Sequence, residues 1–217
     1  MPKYKKGLLT DIHIIESAKK LFYENGFHKT SIRDICSLAN IKIGTFTYYY
    51  KKKEDLIKSI YADYLMNHYV LVDSAARDSY LNSLQKNAYA ILPYYIGLFD
   101  DPKTIKFHQE VLSMGSLYDY MHLNLKRIYH SFIRDLHLDI TERELSYISS
   151  ADLGVRRELT LEYINGEFDG DCTELFKQIY TMMGRLFKIP ERLMQQYIVE
   201  AIDFYANHDF SGIRLLI

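Results

Sequence analysis

The chain has 217 residues, 48% of them apolar, with 27 Lys+Arg against 28 Asp+Glu. That is enough apolar material for a sizeable core, with too little Gly and Pro (10 and 4) for long disorder, and nowhere a run of about 18 uncharged apolar residues able to span a bilayer. The near-neutral balance hides a division: residues 1–58 carry 12 Lys+Arg against 6 Asp+Glu, and the remaining 159 carry 15 against 22, so a basic head sits on an acidic body, as expected of a protein with one end that meets a polyanion.

The basic start, MPKYKKGLL, runs into TDIHIIESAKK without an apolar signal region, which predicts a cytoplasmic protein with no membrane partner. Ile14, Ala18, Leu21 and Phe22 then form one face of a first helix that stops at Asn25-Gly26. Ser31 with Asp34 resembles a capping box opening a short second helix, whose inner face is Ile32, Ile35, Cys36 and Ala39. A tight turn at Asn40-Ile41-Lys42 leads to a third helix over about 43–50, and Lys53-Glu54-Asp55 begins a longer fourth helix reaching about Ser74. Cys36 and Cys172 are too few for a disulfide framework and read as reduced, buried thiols.

Two short helices joined by a tight turn have helix-turn-helix geometry, which lays the second helix in a DNA major groove. On that helix Phe46 and Tyr50 fall inward. Gly44, Thr45, Thr47 and Tyr48 point outward with hydroxyls and an approachable backbone, and Tyr49 lies at the edge. Lys51, Lys52 and Lys53 follow at the start of the next helix, where ammonium groups and free N–H groups both suit a phosphate. The stretch TSIRDICSLANIKIGTFTYYYKKKEDL resembles the N-terminal signature of the tetracycline-repressor (TetR) family of bacterial transcription regulators, over about residues 10–60.

That resemblance implies a role for each matching position. Arg33 occupies a second-helix site that touches a base or phosphate. Lys42, Ile43, Gly44 and Thr45 fill the start of the recognition helix, Tyr48 and Tyr49 match phosphate-contacting positions, and Lys53 matches a phosphate-binding lysine. The sequence departs from the family pattern at three places: Lys42 stands where a capping residue such as Ser is frequent, Thr47 where Tyr is usual, and Asn40 where Gly is common. The DNA-facing set is therefore Arg33, Lys42, Ile43, Gly44, Thr45, Thr47, Tyr48, Tyr49 and Lys53. The resemblance also implies a homodimer through C-terminal helices on a palindromic double-stranded operator, and a small-molecule effector with no bound cofactor.

Beyond the head the chain stays helical. Pro93 predicts a kink in its helix. Asp101-Pro102, Thr141 with Glu144, Asp171 with Glu174, and Pro190 mark helix starts. The fold class is all-α: an N-terminal three-helix helix-turn-helix domain over 1–55 and a larger helical ligand-binding and dimerisation domain over 56–217. The periodic sides of the last two helices, Leu175, Ile179, Met182, Met183 and Leu186, then Leu193, Tyr197, Ala201 and Tyr205, serve the dimer, the monomer core, or both. Phe107, Met114, Tyr118 and Met121 share one helical side in an aromatic-rich stretch, and form the expected wall of a cavity for a flat, hydrophobic effector.

His108, His122, His130 and His137 have no i, i+3 or i, i+4 pair to hold a metal, and no phosphate loop, serine elbow or Cys/His pairing suggests an enzyme. The reading is a ligand-responsive, DNA-binding transcriptional regulator, a repressor. The rival is a helical ligand-binding or adaptor protein whose basic head meets an acidic protein or a membrane surface.

Overall fold

The computed structural model describes residues 3–217 apart from Asp78, and their side chains apart from those of residues 3–6 and 116–124. Ten helices and no strands are present among the described residues: α1 (Lys3–Asn25), α2 (Ile32–Leu38), α3 (Ile43–Tyr49), α4 (Glu54–Ala75), α5 (Ser83–Leu98), α6 (Pro102–Ser113), α7 (Gly115–Asp135), α8 (Glu142–Asn165), α9 (Cys172–Leu186) and α10 (Glu191–Ala206). The fold is all-α.

The expected punctuation sets most of these ends. Gly26, at φ 83°, stops α1. Ser31 and Asp34 close a reciprocal capping box on α2, and Thr141 and Glu144 close one on α8. Asp101 caps α6 with Pro102 in the first turn. Asn40 takes the left-handed conformation at φ 52° between α2 and α3, which Asn accepts more readily than most residues.

α5 is the central post. It runs through Pro93 to Leu98, is apolar almost all round, and packs on α4, α7, α9 and α10. α4 lies against both α1 and α5, so one contiguous apolar core passes from Ile14 and Phe46 in the head to Tyr180 and Leu216 in the body. The expected division at residue 55 falls at the start of α4. Beyond α10 the tail folds back: Leu215 and Leu216 are buried, Phe210 stacks on His68 of α4, and Arg214 pairs with Asp100.

Two histidines lie inside this core. His68 Nδ1 donates to the Tyr64 carbonyl at 2.8 Å, and His108 Nδ1 meets the Tyr61 hydroxyl at 2.8 Å. Burial pushes the His68 ring down to about 4 and the His108 ring down to about 3. Below about pH 6.5 the unfolded chain therefore binds protons that the folded chain refuses, and stability falls as pH falls toward those values. Each ring contributes about 1.4 kcal/mol per pH unit in that window. Thermal unfolding followed from pH 7 to pH 5 is expected to show a falling midpoint, and His108→Gln to flatten the slope.

Candidate functional site

The head presents α3 as a short, half-exposed cylinder. Phe46 is fully buried and Tyr50 nearly so, with the Tyr50 hydroxyl donating to Asp11 Oδ1 of α1 at 2.7 Å. The Tyr49 hydroxyl donates to the Gly7 carbonyl at 3.0 Å, so two consecutive tyrosines fasten α3 to the first turns of α1. This leaves the opposite face outward. Tyr48 is 83% exposed with its ring edge-on to Tyr49, Ile43 is 49% exposed, and Lys42, Gly44 and Thr47 are exposed with Thr45 half-exposed between them. Arg33 of α2 is exposed as well. A Cβ added at Gly44 would meet nothing within 4 Å, so the backbone there is open to approach.

Two of the expected DNA-facing side chains also have internal work. Tyr49 is the fastener just described. Lys53 donates from Nζ to the carbonyls of Phe27 (2.6 Å) and Thr30 (2.7 Å), and the same ammonium lies 4.1 Å from the centre of the Phe27 ring. Two of its three N–H donors are therefore committed to the α1–α2 loop. That loop is what orients α2 and, through it, α3.

Lys42 precedes α3 in extended conformation and makes no side-chain cap. A serine there would supply the missing acceptor. Lys42→Ser is expected to stabilise the head by about 0.5–2 kcal/mol, read as a raised denaturant midpoint, while weakening affinity for any polyanion.

A second feature lies about the middle of the body. A cavity of about 70 Å³, open to the surface, is bounded by α4, α5, α6, α7 and α8. Lys58, three tyrosines, His108, Arg156 and Thr160 are its lining residues with polar groups, and leucines, isoleucines and valine make up most of the rest. Arg156 Nε donates to Asp152 Oδ2 at 2.5 Å, and the Tyr129 hydroxyl donates to the same oxygen.

Of the residues expected to wall this cavity, Phe107 and Met114 are not among its lining residues. Phe107 is fully buried one side-chain row away, stacked between Phe22 of the head and Tyr61 of α4. Met114 is the break between α6 and α7, so the periodicity that placed Phe107, Met114, Tyr118 and Met121 on one side spans two helices. The Tyr118 and Met121 side chains lie outside the described residues. The lining residue missed in the sequence is His108, next to Phe107; Arg156 and Thr160 were missed too, although Ser149, Asp152, Arg156 and Thr160 recur at helical spacing on α8 and are all buried.

α6 joins the two features. Lys103 sits 4.7 Å from the Tyr23 ring centre, and Glu110 Oε2 accepts from the N–H groups of Phe27 (2.6 Å) and His28 (3.2 Å), while His108, Val111 and Leu112 of the same helix line the cavity.

Residues 14–60 match the family model described as bacterial regulatory proteins, tetR family. The probable HTH-type transcriptional regulator YttP of Bacillus subtilis (strain 168) is 32% identical over 73 residues, covering 34% of this chain and 35% of that protein. The HTH-type transcriptional regulator UidR of Escherichia coli (strain K12) is 39% identical over 51 residues, 24% of this chain and 26% of that protein. The chain thus aligns with about a third and a quarter of the length of these relatives. Among solved structures, RolR in complex with resorcinol matches with a TM-score of 0.61 at 16% identity, over 90% of this chain and 96% of that one. TylP, a TetR regulator from Streptomyces fradiae, matches at 0.54 and 12% identity over 93% of each. At such identities the likeness is one of fold.

Proposed function

We propose that this chain, whose residues 14–60 match the tetR-family model, belongs to that family of bacterial transcriptional regulators, binds DNA through its helix-turn-helix, and acts as a repressor. It binds a near-palindromic operator as a homodimer and leaves it when a small effector fills the cavity between α4 and α8. The observation that carries the DNA half is the split of α3: Phe46 and Tyr50 inward, and Thr45, Thr47 and Tyr48 outward beside Arg33 and Lys42. Side-chain hydroxyls and an open backbone at Gly44 suit base edges and phosphates, and the exposed lysines add salt-dependent attraction. A single helix-turn-helix makes few contacts, so two heads about 34–36 Å apart are needed for specific binding.

The C-terminal helices are the proposed dimer surface, though much of their periodic face is spent inside one protomer. Leu175, Ile179, Met183 and Ala201 are fully buried, and Tyr197 nearly so; Met182 (38% exposed) and Val199 (63%) remain outward. In the proposal these outward residues meet the second copy. The effector half rests on α6, which touches the cavity and the head at once. A ligand that binds one head spacing better by about 1–3 kcal/mol shifts operator affinity some 5–150-fold.

The test is selection of bound duplexes from a random pool. A palindromic consensus should emerge, with affinity falling steeply as salt rises. Thr45→Ala and Tyr48→Ala should each weaken binding, by about 1–3 kcal/mol where the lost contact is to a base edge. Equal binding to any polyanion, or unchanged preference in both variants, would remove the operator reading in favour of an adaptor head.

A further inference from the structure

We infer that the effector is an uncharged molecule with a flat apolar body and a hydroxyl group placed at the Arg156–Thr160 end of the cavity. The inference rests on the proposal that this cavity takes the effector, and names its chemistry from the groups that line it.

The first observation is charge. Arg156 is 6% exposed, and its guanidinium is already bound at 2.5 Å to Asp152, which is wholly buried. The pair is internally neutralised. His108, the other basic group in the wall, is held neutral by burial in the physiological range. Lys58 also lines the cavity, but it is an exposed residue whose charge water screens. A carboxylate entering the interior would therefore lose its hydration with no free counter-charge to replace it, and an ammonium would meet the guanidinium as well. Either loss amounts to several kcal/mol per ion.

The second observation is the geometry of the polar groups. They are not scattered. Tyr95, Arg156 and Thr160 all line the cavity, with Tyr95 beside both of the others. Arg156 Nη2 also donates to the Met183 sulfur at 3.4 Å, a weak acceptor that a ligand oxygen can better. Asp152 Oδ1 has no hydrogen-bond partner among the described residues. The cluster thus combines a guanidinium donor with hydroxyls that accept or donate, and a ligand hydroxyl fits such a mixed set in either sense. The remaining wall is largely aliphatic, with Tyr61 and Tyr94 among its residues, which suits an apolar ring.

The experiment uses the full-length protein and three probes of one shape: 2-naphthol, 2-naphthoate and 2-naphthylmethylammonium, titrated by calorimetry with thermal shift alongside. 2-Naphthol should bind at least about 100-fold more tightly than either ion, the factor that an uncompensated buried charge implies. Thr160→Val and Tyr95→Phe, each near in shape to the parent, should weaken 2-naphthol by about 3–10-fold, the worth of one neutral hydrogen bond, and leave the weak binding of the ions unchanged. Naphthoate binding as well as naphthol, none of the three binding, or naphthol affinity unmoved in both variants would each overturn the inference. Operator binding without any probe is measured in parallel. If it is sequence-specific while the probe results go the wrong way, only the effector chemistry fails; if it is absent, the regulator reading fails first.

Discussion

Asp152→Ala is expected to cost the folded chain about 3–5 kcal/mol, while Asp152→Leu combined with Arg156→Met restores most of that loss. Asp152 is wholly buried and holds two donors on one oxygen, Arg156 Nε and the Tyr129 hydroxyl. Removing the carboxylate strands a guanidinium that is 6% exposed, and a charge left alone in the interior is far more costly than a pair that is absent altogether. The double replacement takes away both charges and keeps apolar volume on the inner side of α8. Burial pushes the Tyr129 phenol well above its ordinary value, with the Asp152 carboxylate adding to the shift, so Tyr129 stays a donor and loses one partner in either variant. Denaturant unfolding of Asp152→Leu, Arg156→Met and the double closes the cycle. If the double were as unstable as the singles, the pair would itself be a net source of stability, and its retention would need no functional reason. If the double recovers, the costly pair at the edge of the cavity is kept for something other than stability, as an effector anchor would require.

How much of this was legible in the sequence depends on whether the signal is local. The capping boxes at Ser31/Asp34 and Thr141/Glu144, the stop at Asn25-Gly26 and the Asp101-Pro102 start are decided by groups within three or four residues, and the structure holds each of them. The inward Phe46 and Tyr50 and the outward Tyr48 follow from helical spacing alone. Lys53 shows where that reasoning stops. Its place in the motif marks it as a phosphate ligand, but its acceptors, Phe27 and Thr30, lie 26 and 23 residues away. The cavity is a harder case. Phe107 to Met121 is periodic only if one helix runs through Met114, and the break falls there, before Gly115, without a proline or a side-chain cap. On α8, the row Ser149, Asp152, Arg156 and Thr160 reads as an ordinary solvated face until the fold turns it inward. Leu175, Ile179 and Met183 likewise carry no mark that tells a dimer seam from a monomer core, and the monomer buries them.

Phe107→Ala is expected to lower stability by about 3–5 kcal/mol, the usual cost of truncating a buried phenylalanine. At this chain length that corresponds to a fall of roughly 10 °C in the unfolding midpoint. The ring is fully buried, with its centre 5.3 Å from Phe22 and 6.3 Å from Tyr61 in near-parallel stacks. It therefore joins α6 to the head on one side and to α4 on the other, while His108 beside it reaches the cavity through the same turn of helix. The cavity left by alanine would loosen that joint as well as weaken the core, so the variant separates two effects. Phe107→Leu keeps most of the apolar volume and should cost less than about half as much, but it cannot restore the stacking worth about 0.5–1.5 kcal/mol per aromatic pair. If the stack transmits the effector signal, Phe107→Leu retains operator binding and loses a measurable part of the effector-driven release. Under a purely structural role, the release per bound effector stays at the parental value and only the midpoint moves. Operator affinity measured with and without 2-naphthol, in the parent and in Phe107→Leu at a temperature where both are folded, distinguishes the two.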